Sequence, residues 1–251
     1  MTGNGVPWPD GKAAVDLGTA RVRLAGPGRS VVEEAAAPPG GPRPVRHGLV
    51  ADDAACARLL ERLLRAASPG GSAMPGHVLI GVPVTASRAE RARVAGIVRR
   101  AAGCAATVVE EPLAAALGSG LDITDSRPRL LMDVGAGIVE TVVIRDAAVT
   151  EAVAVQLPGD GPDVLPGHVQ DRLAETAAEL LSRLPARLRP ETRERGLTLT
   201  GGGAAAGLAG HLCSRLGMPV SRATEPAHAT VRGLARLCLP PMAALVALPT
   251  A

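Results

Sequence analysis

The chain has no Phe and no Tyr, and its single Trp is Trp8. A core must therefore be built from Leu, Val, Ile and Ala. Single-stranded nucleic acid stacks its bases on aromatic rings for about 1–3 kcal/mol per base, and without such a platform nucleic acid is not an expected partner. Lysine is almost as scarce, since all 27 basic residues except Lys12 are Arg. No Gly-Lys-Ser or Gly-Lys-Thr occurs, which excludes a P-loop. Cys56, Cys104, Cys213 and Cys238 form no Cys-x-x-Cys pair, so buried reduced thiols are expected and a zinc site is not. His47, His77, His168, His211 and His228 are scattered, with no Ser or Cys partner suggested by spacing. No signal-peptide pattern opens the chain and no apolar run reaches about 18 residues, which predicts a cytoplasmic protein that does not span a bilayer. The apolar tail 237–249 is broken by Pro; it either docks on the protein's own core or touches a membrane surface. The net charge of +3 is spread over Arg interleaved with Glu and Asp, the pattern of a solvated surface.

What is present is a repetition. Residues 13–25 (AAVDLGTARVRLA) and 130–144 (LLMDVGAGIVETVVI) each run as an apolar strand, then Asp, an aliphatic residue and Gly, then a second apolar strand. Each reads as a tight β-hairpin whose glycine frees the turn and lets backbone N–H groups face an anion. A third element, 196–217, reads as strand, glycine run and helix, so that a phosphate or sugar can approach bare backbone near a helix N-terminus. Between these, Asp52 and Asp53 cap a helix with Cys56, Leu59, Leu60, Leu63 and Leu64 on one face. Ser87 and Glu90 form a capping box for a helix with the stripe Val94, Ile97, Val98 and Ala101, stopped by Gly103. Strands are predicted at 78–82, 106–110 and 148–154, and a helix with Val169, Leu173, Ala177, Leu180 and Leu184 on its buried face. Residues 26–44, rich in Gly and Pro, read as a loop. A chain of this length buries roughly 70–75% of its unfolded surface, enough for two small lobes.

The segments VDLGTA, HVLIGVP, EEPLAAALGSGL, LLMDVGAGIVE and LTLTGGGA, in that order, resemble the MreB/Mbl family of bacterial actins, within the superfamily of actins, sugar kinases and chaperone ATPases. The resemblance implies an α/β, actin-like (ribonuclease H-like) fold of two lobes with both outer subdomains reduced or missing. It implies a flexible N-terminus at 1–12, lobe I at 13–127, lobe II at 128–225, and a C-terminal helix and tail at 226–251 packing back on lobe I. It further implies an ATP or ADP site with Mg2+, the metal held at Asp16 and Asp133 through water. Contacts to the nucleotide would come from Gly18, Thr19, Ala20, Arg21, Gly135, Ala136, Gly137, Gly201, Gly202, Gly203 and Ala204, and Glu111 would orient the water that attacks the terminal phosphate.

The chain departs from the family at three of these points. Ile138 stands where a Thr positions that water, Ala136 replaces a Gly, and Arg21 replaces an Asn, where it either grips a phosphate or fills its space. Weak or absent ATP hydrolysis is therefore expected. The implied function is cytoskeletal or morphogenetic, in cell shape and cell-wall organisation. Its partners would be itself, another MreB-type filament, or cell-wall and membrane morphogenetic proteins, with peripheral contact at the inner membrane face. Two alternatives stay open, a non-hydrolysing pseudo-ATPase adaptor and a small DnaK-type ATPase domain.

Overall fold

The computed structural model describes residue 8 and residues 11–38, 41, 43–68, 74–157 and 165–245. Its first sheet contains β1 (Lys12–Leu17), β2 (Arg21–Ala25) and β3 (Val32–Ala35). After the two-stranded β4 (Val45–Arg46) and β5 (Leu49–Val50) come α1 (Asp53–Ala66), β6 (His77–Val82), α2 (Arg88–Ala102), β7 (Ala105–Glu110) and α3 (Glu111–Gly118). The second half runs β8 (Arg129–Val134), β9 (Ile138–Arg145), β10 (Ala148–Gln156), α4 (Gly167–Arg183), α5 (Arg189–Arg195), β11 (Leu197–Thr200), α6 (Ala206–Leu216), β12 (Val220–Arg222) and α7 (Ala229–Leu237).

The repetition in sequence is a repetition in topology. The strand orders are β3-β2-β1-β6-β7 and β10-β9-β8-β11-β12. In each sheet the first three strands pair antiparallel and the next two add in parallel. The two turns also match in their closest contact. A Cβ on Gly18 would stand 2.7 Å from the Arg21 carbonyl, and one on Gly135 would stand 2.8 Å from the Ile138 carbonyl. The turn geometry itself thus demands glycine at both places.

Three apolar clusters hold the lobes. In the first, α1 and α2 pack on one face of the first sheet; the α1 stripe buries Cys56, Leu59, Leu60, Leu63 and Leu64. Each fully buried Leu of that stripe contributes about 1.5–3 kcal/mol. Local signals fix where these helices begin: Asp52 accepts from the Ala55 N–H at 2.9 Å, and the Ser87–Glu90 capping box is complete, with Gly103 left-handed (φ 67°) at the other end of α2. The second cluster lies under α4 and α6. The third joins α3 and α7 to Ala14 and Leu79 of the first sheet and to Leu131, Val142 and Ile144 of the second. α7 thus packs against both α3 and the first sheet.

Several expectations meet a different structure. Within 26–44, residues 32–35 form β3, an edge strand whose side chains alternate half-buried and exposed. Glu33 of β3 binds Arg23 and Arg21 of β2, so that pairing, rather than apolar content, makes the strand. Trp8, placed by the sequence in a flexible stretch, is buried. Its Nε1 donates to Ser68 Oγ at 3.1 Å and Arg29 lies 4.5 Å over its ring. α5 and β12 were not foreseen; α5, polar nearly throughout, is tied down by Arg195, which reaches Asp125 at 2.9 Å. Between β3 and α1 the chain places only the β4–β5 pair, and between β10 and β11 only α4 and α5 among the described residues. No helix among the described residues is long and apolar enough to cross a membrane. Residues 246–249 of the apolar tail, with 250 and 251, lie outside the described residues.

Candidate functional site

The two hairpin turns and the glycine run converge on one cavity of about 370 Å³ between the lobes. Asp16, Gly18, Thr19, Ala20 and Arg21 line it from the first hairpin; Asp133, Gly135, Ala136, Gly137 and Ile138 face them from the second. Gly201, Gly202 and Gly203 form a third wall and Glu111, at the start of α3, a fourth. Ala204 alone of the foreseen contacts stands apart, packed in the second-lobe core. A Cβ on Gly201, which has φ +87°, would meet the Val134 carbonyl at 2.4 Å and Asp133 Oδ1 at 2.6 Å, so the glycine run is pressed against the second hairpin. The Gly201 N–H donates to the Pro226 carbonyl at 2.9 Å, which brings Ala227 and Thr230 to the rim.

The turn between β4 and β5 staples the two hairpins together. The Gly48 N–H donates to Thr19 Oγ1 at 3.1 Å, and His47 Nδ1 donates to the Gly137 carbonyl at 2.7 Å. One short turn therefore bonds both halves of the cavity, and His47 belongs to the site although its spacing gave no signal.

The charges are arranged asymmetrically. In register, Asp16 lies opposite Arg23 and Asp133 lies opposite Glu140. Arg23 Nη1 donates to Asp16 Oδ2 at 3.2 Å and Arg23 Nε donates to Glu33 Oε2 at 2.6 Å. Asp16, read from the sequence as a carboxylate for magnesium, already faces a guanidinium. Asp133 accepts instead from Thr200 Oγ1 at 3.0 Å. Among the described residues no group of three or more His, Cys, Asp or Glu side chains is arranged to hold a metal ion. A divalent cation bound directly at Asp16 Oδ2 would have to displace the Arg23 guanidinium from it. Arg21, by contrast, is more than half exposed and pairs with Glu33 at 3.4 Å at the mouth.

Burial governs the protonation of the acids. It pushes Asp133 up to about 6, with Asp16 adding and the Thr200 bond opposing, and it raises Asp16 against the pull of Arg23. Glu111 is driven well above the ordinary carboxylate range by burial, then by Asp16, Glu140 and Asp133, and its Oε1 has no hydrogen-bond partner. Its neighbour Glu110 is half-buried and bound to Arg91 at 3.1 Å. Glu140, which sequence reasoning missed, is pushed to about 8 by burial and by Asp133; its Oε1 accepts from the Val84 N–H at 2.8 Å, a bond from lobe II to lobe I. Arg23 was missed as well. The signal for both lay in the repeat, because each stands opposite the hairpin's Asp once the turn is set.

Comparison with known proteins agrees with this architecture. The family described as MreB/Mbl protein matches residues 41–165. The cell shape-determining protein MreB of Escherichia coli (strain K12) is 29% identical over 119 residues, which is 47% of this chain and 34% of that protein. The chain thus matches about a third of the length of that curated relative. Among solved structures, MreB5 of Spiroplasma citri bound to AMPPNP superposes with a TM-score of 0.79 at 17% identity, covering 90% of this chain and 95% of that one. A MamK double helical filament superposes at 0.74 with 16% identity, covering 91% of this chain and 100% of that one. Duplicated sheets, facing glycine turns and a cavity between them define an actin-like fold, and the solved structures share it. Over residues 41–165 the chain is similar to the MreB/Mbl family, and it shares the actin-like fold of these solved structures.

Proposed function

We propose that this chain is a cytoskeletal, cell-shape protein of the MreB type that binds an adenine nucleotide in the cavity between its lobes and hydrolyses it weakly or not at all. The observation that carries the reading is the convergence of Gly18, Gly135 and Gly201–Gly203 on a single cavity. Its volume of about 370 Å³ falls in the range of small-molecule sites. Glycine turns bring backbone N–H groups close to an anion without side-chain obstruction, which is the chemistry a polyphosphate needs. A nucleotide analogue in the similar MreB5 supports the same ligand class, and the filament formed by the similar MamK supports self-association.

Weak hydrolysis follows from the missing hydroxyl at Ile138, which leaves the attacking water without that partner. Phosphoryl transfer depends almost entirely on positioning and electrostatics, and the first is impaired here. The adaptor reading, in which the chain binds a filament of a relative without polymerising, has the same support from Ile138. Titration with labelled ATP and ADP, followed by sedimentation with and without nucleotide, separates them. Binding with pelleting supports the polymer, binding without pelleting favours the adaptor, and absence of binding refutes the nucleotide site.

A further inference from the structure

We propose that Arg23 is the resident cation of this cavity, so that a nucleoside di- or triphosphate binds with its phosphates against the Arg23 guanidinium and without a divalent metal ion. The inference rests on the nucleotide reading above and specifies how that site neutralises charge.

Arg23 lines the cavity together with both glycine turns. Its side chain is only 12% exposed, and it is fixed from two sides, by Asp16 at 3.2 Å and by Glu33 at 2.6 Å. Nε and Nη1 make those two contacts, which leaves the Nη2 donors for a third acceptor. A guanidinium clamped between two carboxylates has lost most of its rotamer freedom before any ligand arrives, and its planar fork matches the oxygens of a phosphate. A divalent ion at Asp16 Oδ2 would sit beside this fixed positive charge and would have to displace it from its partner.

The other hairpin provides the contrast. Glu140, the position equivalent to Arg23, is turned to the Val84 N–H and offers the cavity no positive charge. Arg21 is on the same strand but held at the mouth by Glu33. Arg23 is thus the buried cation that the described residues of the cavity wall supply.

The test is calorimetric titration of the whole chain with ADP and with ATP, in excess EDTA and again in excess magnesium. The expected result is an affinity that agrees between the two conditions within about threefold, a difference below 1 kcal/mol. Arg23→Met is expected to lower affinity in EDTA at least about tenfold, and Arg23→Lys, which keeps the charge but not the fork, less than that. Wild-type binding that requires magnesium overturns the inference and leaves the nucleotide site standing. Undiminished binding by Arg23→Met in EDTA overturns it equally. Absence of binding in both conditions removes the nucleotide site itself and this inference with it. If Arg23→Met does not fold, as judged by thermal unfolding, the paired wild-type titrations and Arg23→Lys decide.

Discussion

Arg23 and Glu140 are one position of a duplicated hairpin carrying opposite charge: each lies directly across from the hairpin's aspartate, Asp16 in one lobe and Asp133 in the other. The first pair attracts and holds a cation at the cavity wall. The second places two acids side by side, and burial, with Asp133 adding to it, pushes Glu140 up to about 8 while it accepts from the Val84 N–H.

That elevation has a sign. Between its ordinary value of 4.5 and about 8, Glu140 holds a proton in the folded chain that the unfolded chain releases. Its stabilising effect is complete below 4.5 and is lost as pH rises through the folded value, by up to about 1.4 kcal/mol per pH unit. Glu140→Gln keeps an acceptor for Val84 but does not titrate. The wild-type melting temperature is expected to fall between mildly acidic and mildly alkaline pH more steeply than that of the variant, which melts higher on the alkaline side. Parallel melting profiles over this range would count against the assignment.

Gly118 and Gly233 let α3 and α7 meet backbone to backbone. A Cβ on Gly118 would fall 1.8 Å from the Ala229 carbonyl oxygen, and one on Gly233 would fall 1.7 Å from that of Ala114. Alanine at either place gains up to about 1 kcal/mol in helix propensity but must force the helices apart, an overpacking cost of about 1–3 kcal/mol or more. Both substitutions are expected to lower the denaturant midpoint, with the double variant no worse than the sum of the two. A midpoint equal to or above wild type for Gly233→Ala would contradict the close crossing.

Trp8 is the only indole in the chain, and it is buried against Gly26 and Arg29. Its emission should be blue-shifted and poorly quenched by iodide in the native protein, then move to the red as a single cooperative step on unfolding. Trp8→Ala is expected to destabilise by about 3–5 kcal/mol, the usual range for truncating a buried Trp. Native emission typical of water-exposed indole would place this side chain elsewhere.

Phosphate release from ATP is expected near background, and Glu111→Gln should leave it unchanged while holding or raising the melting temperature, because the buried Oε1 has no partner to lose. A coupled assay of inorganic phosphate measures the first and scanning calorimetry the second. Rapid release abolished by this substitution would restore Glu111 to a hydrolytic role.

Much of this architecture was legible because its signals are local. The hairpins announce themselves through Asp-aliphatic-Gly turns, α1 through Asp52 and its leucine stripe, and α2 through Ser87, Glu90 and Gly103. The same turns brought the foreseen cavity residues together, apart from Ala204. What escaped depends on partners distant in sequence. β3 is a polar segment that is a strand only because Arg21 and Arg23 hold Glu33, and Trp8 is ordered by Ser68, sixty residues away. His47 enters the site through a contact ninety residues off, with Gly137. Arg23 and Glu140 are different, since the repeat already fixed their register and only the comparison of the two copies was needed.

Because α7 packs against α3 and the first sheet, every strand of both sheets is made before the helix that covers the first arrives. Until residue 237 is free, the third apolar cluster lacks Val231, Leu234 and Leu237. Synthesis therefore passes through a stage with an uncovered apolar face, when association with another chain competes with the docking of α7. A stop codon placed before Ala229 should yield a product that aggregates, however well each sheet forms by itself.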